Sequence, residues 1–300
     1  MFKRILKWVG GAIVLLFLVV VGALVNAEMK YKKYDALVLE DPQLEISLQM
    51  QNDWVAEGER IARMKGCFDC HGTDLGGKAF IEDPAMGTFA GTNLTKGQGG
   101  IGGTYTDQDW VRSIRYGRGP DKKYLQFMPS EEYYHLSDTD LAKLITYLKA
   151  LPPVDRESTP VKAGTMAKVL SSFGKMPLLF SGKNIDMKVT PPHHVAMSDQ
   201  AEYGQYLAAS CVGCHQPNYA GGPIPGVPPS WPMASNLTSS GNLANWSFDD
   251  FKKMGQTGVT PEGKTLNPQF MPWPAMAAMN DTELTALYNF LKSLPPAKQN

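Results

Sequence analysis

Cys67-Phe68-Asp69-Cys70-His71 recurs as Cys211-Val212-Gly213-Cys214-His215, and no other feature narrows the fold as far. In Cys-x-x-Cys-His a two-residue spacer sets two thiols on one helical turn, and an imidazole follows at once. This is the attachment pattern of a c-type haem: the thiols add to the porphyrin vinyl groups, and the His gives iron its proximal nitrogen. A redox dithiol of the thioredoxin kind needs no His after its second Cys. A structural zinc site would pool both pairs into one four-ligand centre. Here each pair carries its own His, so the sequence calls for two separate cofactor sites. All 4 cysteines are consumed, leaving none for a disulfide.

The surroundings of the motif recur as well, which makes the chain a tandem duplication. Asn93-Leu94-Thr95 returns as Asn236-Leu237-Thr238, and Gln126-Phe127-Met128-Pro129 returns as Gln269-Phe270-Met271-Pro272. Thr106-Asp107-Gln108-Asp109 and Ser247-Phe248-Asp249-Asp250 resemble capping boxes and open a middle helix in each copy, carrying Trp110 and Phe251. Ser137-Asp138-Thr139-Asp140 and Asn280-Asp281-Thr282-Glu283 cap a final helix. Leu141, Leu144, Ile145 and Leu148 fall on one face of it, as do Leu284, Leu287, Tyr288 and Leu291. Leu-Pro-Pro stops both. A helix over Trp54 to Lys65 leads into the first motif, and Tyr203 to Ala208 leads into the second. The predicted fold is all-α, with two tandem domains at 51–153 and 200–296. A connector, 154–199, holds a short helix around Met166 to Phe173. A Gly-rich loop follows the first motif (Gly72 to Gly91), and a Pro-rich loop follows the second (Pro217 to Pro232).

A haem that only moves electrons wants both axial positions filled by protein, and Met is the common partner of His. The repeat selects Met128 and Met271 from 15 methionines, because both sit in Gln-Phe-Met-Pro and Pro stiffens the loop after the ligand. Met86 and Met233 have no counterpart in the other copy. His135, His193 and His194 are the remaining histidines, and none of them repeats. Asn93 and Asn236 suit a bond to loop backbone or to a haem propionate, or a plain turn. Trp110 and Phe251 suit core packing near the cofactor.

Lys3, Arg4 and Lys7 precede an uncharged run from Trp8 to Val25. The run is at the short end of what spans a bilayer, and the basic cluster orients the N-terminus to the cytoplasm. Residues 1–27 read as a transmembrane anchor, or else as a signal peptide cut after Val25-Asn26-Ala27. Residues 28–50 read as a stalk whose Lys30, Lys32 and Lys33 either touch lipid headgroups or simply face solvent. The net charge is +0, which argues against nucleic acid as a partner. The connector is the basic part, with 6 basic and 3 acidic residues between 154 and 189.

Taken together, these residues resemble class I cytochrome c domains joined in a membrane-anchored dihaem cytochrome c. The set Asn93-Leu94-Thr95, Gly100-Ile101-Gly102, Thr106-Asp107, Met128-Pro129 and Ser137-Asp138 is similar to the cytochrome c subunits of bacterial alcohol and aldehyde dehydrogenases. The resemblance implies two covalently attached haem c groups, His/Met iron and electron transfer with no catalytic residue. The implied partners are a donor dehydrogenase and an acceptor oxidase or soluble cytochrome. The implied location is the bacterial inner membrane, with the haem domains facing the periplasm. A haem-dependent oxidoreductase, such as a dihaem peroxidase or a thiosulfate-oxidising cytochrome, is the alternative. It would need an open distal site, against which the duplicated Gln-Phe-Met-Pro stands. A haem sensor would need a signalling domain, and no stretch reads as one. The two unlike loops predict unlike burial of the two haem edges, and so two different potentials.

Overall fold

The computed structural model describes residues 2–40 and 51–299. Helix α1 runs unbroken over Phe2–Ala36, about 52 Å at about 1.5 Å per residue. Its N-terminal part is long and apolar enough to cross a membrane, and those side chains are exposed. The expected stalk is therefore helical as far as Ala36, because nothing between Glu28 and Asp35 breaks a helix. Residues 37–40 leave the helix, and 41–50 lie outside the described residues.

The first repeat opens with a 3-10 turn at Asn52–Trp54 and α2 at Val55–Met64, then α3 at Cys67–His71. Next come β1 (Lys78–Asp83) and β2 (Gly87–Gly91), an antiparallel hairpin. Helices α4 (Asp107–Tyr116), α5 (Ser130–Tyr133) and α6 (Asp138–Ala150) complete it. The Thr106 hydroxyl accepts from Asp109 N, and the Asp109 carboxylate accepts from Thr106 N, so the expected capping box forms. α2 crosses α6 so closely that a Cβ on Gly58 would fall 2.1 Å from the Lys143 carbonyl.

In the connector, β3 (Lys162–Ala163) pairs with β2, and α7 spans Thr165–Ser172. The molecule is mostly helical but not all-α, since β1, β2 and β3 form one three-stranded sheet. The Gly-rich loop is in fact this hairpin. Its inner Phe89 is fully buried, with its ring centroid 4.7 Å from that of Phe127.

The second repeat has α8 (Ala201–Ala208), a 3-10 turn (Ala209–Cys211), α9 (Val212–His215), α10 (Phe248–Thr257), α11 (Pro274–Ala277) and α12 (Asp281–Ser293). α8 crosses α12 at Gly204, as α2 crosses α6 at Gly58. The hairpin is replaced by the Pro-rich loop, tied by a single bridge between Gly222 and Ala234.

The repeats touch through polar groups. Arg60 of α2 pairs with Glu283 of α12, whose side chain is buried, and the Tyr203 hydroxyl donates to Glu283 Oε1 at 3.3 Å. The Tyr206 hydroxyl donates to Asp140 Oδ2 at 2.7 Å and accepts from Ser137 N at 3.0 Å. Lys65 Nζ donates to Ser210 Oγ at 2.9 Å. Lys65 lies two residues before Cys67 and Ser210 one before Cys211, so this bond joins the approaches to the two motifs.

Candidate functional site

Gly66 takes a left-handed conformation (φ +68), ends α2 and redirects the chain into α3, which carries Cys67, Cys70 and His71. In both repeats the chain then folds back under the imidazole. His71 Nδ1 lies 2.7 Å from the Thr92 carbonyl, and His215 Nδ1 lies 2.7 Å from the Ser235 carbonyl. A carbonyl only accepts, so each Nδ1 holds the proton and each Nε2 keeps a free lone pair. Gly77 and Gly221 make the fold-back possible. Their N–H groups donate to the His71 and His215 carbonyls at 2.8 and 3.0 Å. Both have positive φ, and a Cβ on Gly221 would fall 2.3 Å from the Ala234 carbonyl.

Asn93 and Asn236 hold the next step of the chain. Asn93 Oδ1 accepts from Thr95 N, and its amide donates to the Val154 and Arg156 carbonyls at 2.8 and 2.9 Å. Asn236 Oδ1 accepts from Thr238 N, and its amide donates to the Ala297 carbonyl at 2.7 Å. Both asparagines therefore serve loop backbone, tying each His-supporting loop to the chain that leaves the final helix.

The Met loops are built alike. The Met128 carbonyl accepts from Ser130 N at 2.8 Å, and the Met271 carbonyl accepts from Trp273 N at 2.7 Å, each a tight turn over Pro. The Ser181 hydroxyl also donates to the Met128 carbonyl, so the connector braces the first loop.

In the first repeat Cys67, Cys70, His71 and Met128 line one open cavity. Ile114, Leu144 and Leu148 give it an apolar wall. Trp110 also lines it. Its Nε1 is buried with no partner among the described residues, a donor aimed at nothing the protein supplies. An apolar group carrying a hydrogen-bond acceptor fits this wall. In the second repeat Cys211 and Met271 pack on the same core, and Phe251 stands in the place of Trp110 without an N–H. His135 is exposed, and His193 is exposed and paired with Asp138 at 3.1 Å. His194 lines a separate cavity between the repeats. None of the three lines the cavity that holds His71.

Burial pushes the Cys67 thiol up to about 12, and Cys70 and Cys211 up to about 11. A redox dithiol needs the opposite shift, toward thiolate. Burial also lowers His71 and His215, keeping both imidazoles neutral and able to bind metal.

A dithiol pair followed by a locked imidazole, twice, with an apolar-walled cavity at the first, defines a protein that binds c-type haem. The cytochrome c family model matches residues 55–152 and 201–295, and the chain belongs to that family. It is 27% identical to a dihaem cytochrome c-type protein of Cereibacter sphaeroides, over 86% of this chain and 90% of that one. It is 26% identical to the fructose dehydrogenase cytochrome subunit of Gluconobacter japonicus, over 80% of this chain and 52% of that one. It is also 26% identical to the cytochrome c subunit of the quinone alcohol dehydrogenase of Gluconobacter oxydans, over 80% and 55%. The chain thus spans about half the length of these dehydrogenase subunits. Two matched regions and two motifs assign it two haem c groups.

Proposed function

We propose that this is a membrane-anchored dihaem relay, which takes electrons from a dehydrogenase and hands them to a respiratory acceptor on the periplasmic side of a bacterial inner membrane. The observation that carries it is the meeting of Cys67, Cys70, His71 and Met128 on one cavity, with His71 Nδ1 already committed to a backbone carbonyl.

Bound haem supplies the one-electron chemistry. The chain supplies the rest. Cys67 and Cys70, and Cys211 and Cys214, fix the two groups by thioethers. His71 and His215 would offer Nε2 to iron, and Met128 and Met271 would offer sulfur. The duplicated turn over Pro129 and Pro272 stiffens the segment that carries each Met. The Lys65–Ser210 bond brings the two attachment segments together, the natural crossing point from one site to the other. Relatives named as dehydrogenase cytochrome subunits support a dehydrogenase as donor, and the length of α1 supports anchorage.

The test is a visible and EPR spectrum of the oxidised protein, with cyanide or carbon monoxide added to a second, reduced sample. Two low-spin haems with the sulfur-to-iron band in the far red and no ligand binding are expected. Met128→Ala and Met271→Ala should each convert one haem to a form that binds carbon monoxide. A high-spin component in the unaltered protein would overturn the ligand assignment at that site.

A further inference from the structure

The turn after α7 lies beside the part of α1 that follows its apolar run. Lys30 Nζ donates to the Ser172 carbonyl at 3.0 Å, and Lys30 comes five residues after Val25, where the uncharged run ends. One turn earlier, Lys168 pairs with Glu28 at 2.8 Å and lies over the Tyr31 ring. Further on, Phe180 packs on Tyr31 and Tyr34, with centroids 5.4 and 6.0 Å away. These contacts hold α7 and the segment after it against α1 between Glu28 and Tyr34, just past the apolar run. Phe173-Gly174-Lys175 follows Ser172 directly.

The side chains there are the wrong kind for a free surface in water. Phe173 is 64% exposed, and on α1 Met29, next to the Lys30 that holds Ser172, is 66% exposed. Gly174 has φ +71 and open space around it, a turn that juts outward. Lys175, Lys32 and Lys33 are exposed around the two apolar residues. An aromatic tip ringed by lysines suits the boundary between headgroups and acyl chains of an anionic bilayer. The exposed apolar side chains of α1 run on toward the same level, so whatever surrounds α1 also meets this turn.

We propose that Phe173-Gly174-Lys175 is a second membrane contact, seating Phe173 at the lipid interface with Lys32, Lys33 and Lys175 on the anionic headgroups. It rests on the reading of α1 as a retained anchor. Held at two points, the body cannot swing freely about α1. The Pro-rich loop of the second repeat, where Gly226 packs on Pro177 and the Lys175 carbonyl, is drawn to the membrane side as well.

The test uses the full haem-loaded chain, whose native cysteines are all in thioethers. Phe173→Cys, Leu16→Cys in α1 and Thr282→Cys at the exposed start of α12 are each placed in phosphatidylethanolamine–phosphatidylglycerol nanodiscs. Labelling by a membrane-impermeant maleimide is then timed. We expect Leu16→Cys to be protected and Phe173→Cys to label about tenfold more slowly than Thr282→Cys. Less slowing in phosphatidylcholine is expected from the lysines, and equal slowing there would overturn their part. Labelling of Leu16→Cys would remove the anchor and this inference with it. Protected Leu16→Cys with fast Phe173→Cys would overturn the contact alone. Protection of Phe173→Cys that rises with protein concentration in detergent would assign the turn to a second copy and overturn the lipid contact.

Discussion

Glu132 stands where the two repeats meet, on α5 of the first and against Gly213 of the second attachment motif. Burial, helped by the neighbouring Glu131 and opposed by Lys65, pushes its carboxyl up to about 7. A raised acid holds its proton better folded than unfolded, so its contribution to stability falls as pH rises from roughly 4.5 to roughly 7. Glu132→Gln should therefore stabilise the protein by about 3 kcal/mol at pH 8 and little at pH 4. Denaturant melts at the two pH values check this, and an equal effect at both would refute it. Trp110 gives a second prediction. Its buried Nε1 is an unshared donor facing the first site, and Phe251 offers none at the second. Two distinct midpoint potentials are expected, and Trp110→Phe should lower the first by on the order of 40 mV. A redox titration that fits one potential, or a variant with unmoved potentials, would count against it. Neither Trp110's lone N–H nor the Thr92 and Ser235 carbonyls carry a signature in residue type. The only clue was position, since Thr92 and Ser235 each precede the repeated Asn-Leu-Thr.

Within each repeat the first helix crosses the last at a glycine, and there is no room for a methyl group. A Cβ on Gly204 would fall 2.0 Å from the Ala286 carbonyl and 2.7 Å from Phe290 Cβ. Gly204→Ala is expected to cost about 2–3 kcal/mol, because backbone must move to admit it. Thermal melting of the haem-loaded protein checks the value, and a loss under 0.5 kcal/mol would show that α8 slides freely. The helices themselves were legible from Thr106, Ser137, Ser247 and Asn280, because a cap is a local rule between residues three apart. The sheet was not. Its strands are short and glycine-rich, β1 carries a bulge between Ala79 and Ile81, and β3 comes from far along the chain at Lys162. Pairing of that kind is non-local, and no periodicity announces it.

For the whole molecule, duplication shows plainly in sequence, whereas the way the copies join does not. Glu283 caps α12 through Asn280 N and also receives Arg60 from the other repeat, so one carboxylate serves two structures. Glu283→Ala should cost about 3 kcal/mol by removing both the cap on Asn280 N and the more buried of Arg60's two carboxylate partners, Glu57 being the other. Arg60→Ala in the same background should then cost little more, and additive losses would show that the pair is not coupled. The connector between the repeats is part of the first repeat's closure. Val154 and Arg156 hold Asn93, Lys162 and Ala163 extend the sheet, Ser181 braces Met128, and the Val189 carbonyl accepts from Tyr134. A polypeptide emerges N-terminus first. Cys67, Cys70 and His71 are therefore made more than a hundred residues before the segment that locks the Met128 loop. During that interval the first cavity has its attachment groups but not its brace. The order of the chain thus puts the attachment groups first and their brace last.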